Sequence, residues 1–158
     1  MTEVQAAVGR VQLRRLDQWH SERARNAQRL RRLLDNCSGL IVPECPEGIE
    51  HAWYRLYAFV AAEQLRAGWT RDRVIAEIQA AGENVGCGSC GEIYREKAFA
   101  REKTQLSHRV AQRSHHTSLA FLVHPGISDE KLEKLATTVR AVMGQATMRH
   151  ATHLKKAG

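Results

Sequence analysis

Apolar and polar residues alternate with a helical period over the first 36 residues of the chain. Thr2 and Gln5 have the spacing of a capping box, in which each side chain bonds the other residue's backbone N–H. After this cap, apolar residues recur every three or four positions, as in an amphipathic helix. They are Val4, Val8, Val11, Leu16, Trp19, Ala27, Leu30 and Leu34. The pattern predicts one helix over residues 2–36, on the order of 50 Å long at 1.5 Å per residue.

Short strands and helices alternate along the rest of the chain. Aromatic and branched residues predict strands at 40–42, 51–60, 84–87 and 117–123. Capping residues predict helices that begin at Thr70 and Ser128 and end at Gly82 and Gly144, and a shorter helix is expected near 106–113. This order predicts an α+β fold, in which a small sheet of three or four strands, antiparallel or mixed, carries packed helices.

The same pattern predicts three regions. Residues 1–36 form a long connecting helix, residues 37–144 form a small α+β domain, and residues 145–158 form a basic, flexible tail. A helix as long as the first region exceeds what one small domain needs. We therefore expect it to bridge two bodies or to pack on a partner.

Composition is that of an ordinary globular domain. Of 158 residues, 43% are hydrophobic and 26% are charged, which suits a single domain. No apolar run reaches the roughly 18 residues that a membrane helix needs. The N-terminus lacks the basic and apolar regions of a secretory signal. We therefore expect a cytoplasmic protein without membrane contact.

Arginine accounts for most of the formal net charge of +7, and eight arginines lie between Arg10 and Arg32. A second basic cluster covers residues 149–156. Clustered arginines can bind nucleic acid phosphates, but Asp17 and Glu22 interrupt this field. No zinc finger, RNA-binding aromatic motif or helix-turn-helix accompanies it. The expectation is a solvated helix face, and a basic nucleic-acid-binding domain is the less favoured alternative.

Cys87 and Cys90 form a C-x-x-C motif that could be half of a zinc site or a redox pair. Structural zinc commonly takes four ligands from two such pairs, and the sequence holds no second pair. Other ligands would have to be brought in by the fold. The candidates are Cys37, Cys45, His108, His115 and His116. We therefore predict no metal site.

A glycine-rich loop at residues 86–91 is the best candidate for ligand contact. Its glycines allow backbone angles closed to other residues and a close approach to a ligand. Hydrogen-bonding groups follow the glycines at Ser89, Cys90, Glu92 and Tyr94. The alternative interpretation is a plain turn after a strand.

In order along the chain, several segments resemble the pyridoxal-phosphate (PLP)-dependent nucleotide-sugar aminotransferases of the DegT/DnrJ/StrS group, which have the aspartate-aminotransferase fold. They are MTEVQAAVG at 1–9, HAWYRLYAFV at 51–60, GSCGEIYREKAF at 88–99, TSLAFLVHPG at 117–126 and SDE at 128–130. The resemblance covers residues 1–144. It implies that this chain is the C-terminal, small-domain part of such an enzyme. It also implies that Ser89, Cys90, Glu92 and Tyr94 lie near the nucleotide-sugar site.

The resemblance further implies which groups this chain does not carry. PLP needs a lysine for its Schiff base, an acidic partner for its ring nitrogen and groups that hold its phosphate. In the family, these precede the segment matched here, and no lysine of this chain stands in a similar context. The lysines are Lys97, Lys103, Lys131, Lys134, Lys155 and Lys156. We therefore expect no catalytic residue, no cofactor-binding residue and no bound PLP in this chain, and inactivity when it is alone.

In the intact enzyme, the resemblance implies transfer of an amino group to a keto-sugar nucleotide in polysaccharide or deoxysugar biosynthesis. A helix that normally lies on a large domain would leave part of its apolar face bare in this chain. Exposed apolar patches drive association. We therefore expect a homodimer or larger homo-oligomer, and a separate N-terminal PLP-binding chain is a second candidate partner. A non-catalytic interaction module is the alternative function.

Overall fold

Five α-helices, three short 3₁₀ helices and a four-stranded sheet make up the computed structural model, which describes residues 1–88, 90–99 and 108–148. No helix in these ranges is long and apolar enough to cross a membrane. The predicted α+β class is confirmed. The elements are α1 Glu3–Arg14, α2 Leu16–Leu33, β1 Leu40–Ile41, β2 Arg55–Val60, α3 Arg71–Ala80, β3 Val85–Gly86, α4 Arg109–Thr117, β4 Ser118–Leu122 and α5 Asp129–Ala146.

The strands are ordered β1-β2-β4-β3, and all neighbours are antiparallel. In the central pair, Leu56 lies opposite Phe121 and Ala58 lies opposite Leu119. These four side chains share one face because side chains alternate along a strand. All four are buried, so this face of the sheet is the core face.

Helices α2, α3 and α5 pack together over the core face. Each contributes fully buried apolar side chains, including Leu30 from α2, Ile78 from α3 and Val139 from α5. The polar residue Asn26 of α2 is also fully buried, and its side-chain amide donates to the backbone oxygen of His124 at 3.1 Å. This bond offsets the cost of burying the amide and ties α2 to the end of β4.

The N-terminal helix differs from the prediction because it is divided into α1 and α2 at Arg15. The Arg15 N–H bonds to the oxygen of Gln12 at 3.0 Å, three residues back, which is a tighter turn than that of an α-helix. The predicted capping box is confirmed, because the Thr2 N–H donates to Gln5 Oε1 at 2.9 Å and the Gln5 N–H donates to Thr2 Oγ1 at 3.3 Å.

Only the second half of this helical region belongs to the core. Ala27 and Leu30 in α2 are fully buried, whereas α1 has no buried residue. Val4, Val8 and Val11 are 73%, 56% and 45% exposed. The predicted bare apolar face is confirmed, and we call these three valines the α1 stripe.

The C-terminal helix runs further than predicted. It passes through Gly144 to Ala146, and Thr147 is buried and bridges to Leu65. Residues 145–148, which the sequence pattern assigns to the tail, therefore belong to the fold. The remainder of the predicted tail, residues 149–158, lies outside the described residues.

Replacing Leu30 by alanine should lower the free energy of unfolding by about 2–5 kcal/mol, since Leu30 is fully buried and the change leaves a cavity. Leu13→Ala provides a matched control, because Leu13 is 69% exposed on α1 and its replacement should change stability by less than about 0.5 kcal/mol. Urea unfolding followed by circular dichroism measures both. Equal effects of the two replacements would contradict this assignment of the core.

Candidate functional site

The glycine-rich loop packs against the second face of the sheet. A Cβ added at Gly88 would lie 2.8 Å from Ser118 Oγ and 3.4 Å from the Tyr57 ring, and the Gly88 N–H donates to Ser118 Oγ at 3.2 Å. A Cβ at Gly91 would lie 2.9 Å from His115 Cβ and 3.1 Å from the oxygen of Ala111, both in α4. The absence of a side chain at each glycine therefore allows the loop to pack against the sheet and α4. The sequence analysis expected the same glycines to allow the close approach of a ligand.

Glu92 is the charged centre of the segment that follows. Its side chain is 5% exposed, and its Oε1 accepts the Tyr94 hydroxyl at 2.5 Å and lies 3.1 Å from Arg95 Nε. Its Oε2 lies 3.9 Å from His116 Nε2 on α4. A buried carboxylate is unfavourable unless it is paired and hydrogen-bonded. Glu92 therefore holds the segment together and directs it toward α4.

The two other predicted contact residues in the described chain keep their protons at neutral pH. The hydrogen bond from Cys90 Sγ to Glu96 Oε1, 2.9 Å long, raises the pKa of the Cys90 thiol. The hydrogen bond to Glu92 raises the pKa of the Tyr94 hydroxyl. Both groups are therefore neutral hydrogen-bonding groups, suited to polar recognition and unsuited to nucleophilic attack.

The structure separates the four predicted contact residues by role. Cys90 is exposed and Tyr94 is partly exposed, so both can reach a ligand, whereas Glu92 is buried beneath them. Ser89 lies outside the described residues. Sequence reasoning missed Arg95 as a neighbour of Glu92, although its spacing of three residues is a known pairing distance in a helical turn.

The sequence analysis considered His115 and His116 as possible metal ligands. In the structure, both residues pack against the loop. His115 lies under Gly91, and His116 lies near Glu92. Within the ranges 1–88, 90–99 and 108–148, no three histidine, cysteine, aspartate or glutamate side chains gather as a metal site would require. The four cysteines are free thiols.

The described residues do not fit PLP, the cofactor that the resemblance implies. Lys97, Lys131 and Lys134 are the lysines in this part of the chain, and all three are exposed. None of them supplies the enclosed amine that a Schiff base requires.

Two arginines of α2 form ion pairs within the protein. Arg29 pairs with Asp129 and Glu133 of α5, and Arg31 pairs with Glu44. These contacts join α2 to its neighbours, so these arginines are not a free surface for phosphate groups.

Comparison with known proteins identifies one matching family and several similar proteins. The model of the DegT/DnrJ/EryC1/StrS aminotransferase family matches residues 1–140. A protein of Saccharopolyspora spinosa named dTDP-4-dehydro-2,6-dideoxy-D-glucose 3-dehydratase is 25% identical over 92% of this chain. The spore coat polysaccharide biosynthesis protein SpsC of Bacillus subtilis is 26% identical over 90% of it.

The chain spans about a third of the length of these curated relatives, 31% and 37% respectively. Among solved structures, the aminotransferase from Psychrobacter cryohalolentis is 35% identical, with a TM-score of 0.83. That similarity covers 92% of this chain and 40% of the other. The architecture described above is therefore that of one part of a larger fold.

Replacing Gly91 by alanine should lower the free energy of unfolding by about 1–3 kcal/mol, because the new methyl group meets the α4 backbone. Gly9→Ala is the matched control. No atom outside the local helix lies within 4 Å of a Cβ placed there, and alanine should stabilise α1 by about 0.5–1 kcal/mol. Urea unfolding of both variants gives the comparison. A neutral or stabilising effect at position 91 would refute the close packing.

Replacing Glu96 by alanine should make Cys90 react severalfold faster with iodoacetamide at pH 8. The carboxylate that favours the protonated thiol is removed, so more thiolate is present. Mass spectrometry of the Cys90 peptide over time measures the rate, and Cys87 in the same sample serves as reference. Glu63→Ala, an exposed glutamate elsewhere, should leave the rate unchanged. An unchanged rate in the Glu96 variant would contradict the role given to this hydrogen bond.

Proposed function

Because this chain belongs to the DegT/DnrJ/EryC1/StrS aminotransferase family, we propose that it is the C-terminal domain of an enzyme acting on keto-sugar nucleotides. The enzyme would serve polysaccharide or deoxysugar biosynthesis. The observation that carries the proposal is the match of 92% of this chain to 40% of a solved aminotransferase. PLP, when bound elsewhere in such an enzyme, supplies the amino-transfer chemistry. This domain supplies substrate contacts and a docking surface, and it is inactive alone.

The substrate contacts are the exposed groups of residues 90–99. The Tyr94 hydroxyl donates a hydrogen bond to Glu92, so its oxygen is left to accept a hydrogen bond from a sugar hydroxyl. Arg95 is 62% exposed and offers a guanidinium to the phosphates of a nucleotide. Burial of Glu92 beneath both residues limits their motion, and such support is what precise substrate positioning requires.

The docking surface is the α1 stripe. Three valines exposed along a capped, well-formed helix are unusual for a surface that only meets water. In the proposed enzyme they lie against the large, PLP-binding domain, which is either part of the same polypeptide or a separate chain. Association of two copies through this helix is compatible with the same surface.

Dehydration is a second candidate reaction, favoured by one specific observation. The relative from Saccharopolyspora spinosa is named as a 3-dehydratase, and it is as similar to this chain as SpsC is. Loss of water from a keto-sugar nucleotide would use the same substrate contacts as amino transfer. The two reactions are distinguished by whether the product gains nitrogen.

Non-catalytic alternatives have less support. A pure interaction module would use the α1 stripe but would leave the conformation of residues 90–99 without a role. Nucleic-acid binding is disfavoured because Arg29 and Arg31 are engaged in ion pairs within the domain.

A chimera tests the proposal. We would replace the matching C-terminal part of the Psychrobacter cryohalolentis aminotransferase with residues 1–148 of this chain, and assay nitrogen transfer by mass spectrometry of the sugar-nucleotide product. We expect a folded enzyme that binds PLP and retains activity. The isolated chain, mixed with PLP and borohydride, should show no specific lysine adduct.

Two substitutions in the chimera give the matched control. Val8→Glu places a charge in the α1 stripe and should reduce activity at least about tenfold, since an unpaired charge is expensive to bury. Leu13→Glu places the same charge about 140° away around the helix and should have little effect. An inactive but folded chimera would contradict the proposed function. Equal losses from both substitutions would contradict the docking surface alone.

A further inference from the structure

A cavity of about 230 Å³ lies where β4 ends and α5 begins, apart from the segment 90–99. Four apolar side chains line it, and polar groups from three segments complete its wall. The lining is Leu122, Ile127, Leu132 and Leu135, with Glu83, Asn84, His124, Gly126 and Lys131. This volume is below the roughly 300–1,000 Å³ typical of sites for drug-sized ligands. The cavity therefore suits a small ligand with an apolar body.

The C-terminal turn of α3 places Glu83 in the wall of this cavity. Gly82 has a φ of +87°, and its N–H bonds to the oxygen of Gln79 at 2.9 Å, while the Glu83 N–H bonds to the oxygen of Ile78 at 3.3 Å. This pair of bonds is a Schellman motif, which closes a helix and reverses the chain. The Glu83 side chain that follows is only 5% exposed.

The charge of Glu83 is weakly compensated by the described residues. Its ion-pair partner is Lys134 Nζ at 3.4 Å, beyond the roughly 2.7–2.9 Å of a charge-assisted hydrogen bond, and Lys134 is 70% exposed. The C-terminal end of α3 adds partial negative charge beside the carboxylate. A carboxylate has about four acceptor positions. Glu83 therefore has both the capacity and the electrostatic need for a further cationic donor.

We propose that this cavity binds a small primary ammonium ligand with a short, branched apolar body. The ammonium group donates to the Glu83 carboxylate, and the apolar body lies among the four leucine and isoleucine side chains of the lining. Lys131 and Asn84 lie at the same cavity and would accommodate a carboxylate next to the ammonium group. The ligand is therefore a simple alkylamine or an apolar α-amino acid. This proposal does not depend on the enzymatic function proposed above.

Four probes with the same branched body test it on the full chain by ¹H–¹⁵N correlation spectra. They are L-leucine, isoamylamine, isoamyl alcohol and 4-methylpentanoate. We expect the two ammonium probes to shift the amides of Asn84, Gly126 and Ile127, and the alcohol and the carboxylate to leave them unchanged. Tighter binding of leucine assigns the amino acid, and tighter binding of isoamylamine assigns the amine. No shift with either ammonium probe, or equal shifts with the alcohol, would overturn the proposal.

Glu83→Gln keeps the shape of the side chain and removes its charge. It should weaken binding of the ammonium probe at least about tenfold, because a charge-assisted hydrogen bond is lost. Glu63→Gln makes the same change at an exposed position and should leave affinity as it is. Unchanged affinity in the Glu83 variant refutes the assigned contact. If that variant does not fold, the four-probe comparison on the unaltered chain decides alone.

Discussion

The antiparallel pairing of β2 with β4 is the interaction on which the rest of the domain depends. It sets Leu56 opposite Phe121 and Ala58 opposite Leu119, and all four lie on the face covered by α2, α3 and α5. Because side chains alternate along a strand, a slip of one residue would move every one of them to the other face. The hydrophobic effect thus specifies the register as well as the fold.

The same register determines what the second face can do. It presents Tyr57 and Ser118 to the glycine-rich loop, and Gly88 fits there because it has no side chain. Gly91 then meets α4 in the same way, and Glu92 is buried by the contact. Close packing of a loop by two glycines brings a carboxylate out of water, and that carboxylate in turn orders Tyr94 and Arg95.

The two ends of the chain differ in how far their side chains are buried. Residues from Ala27 onward contribute to a core, whereas α1 contributes none of its side chains to it. This chain matches about a third of the length of its curated relatives. That share agrees with such an arrangement, since a domain within a larger protein leaves a surface for the remainder. Family membership identifies the architecture, while a function has to be argued from the chemistry of a site.

Local chemistry determined much of this protein from sequence alone. The caps at Thr2, Thr70 and Ser128, the four strands and the helical periods could be predicted because each depends on residues a few positions apart. Only the tertiary structure decided that the helix divides at Arg15, that Gly88 packs on Ser118, 30 residues away, and that Glu92 and Glu83 are buried. The partners of the two glutamates include residues distant in sequence, Lys134 for Glu83 and His116 for Glu92. Burial and electrostatic pairing depend on which atoms surround a group in space, and no short sequence pattern records that.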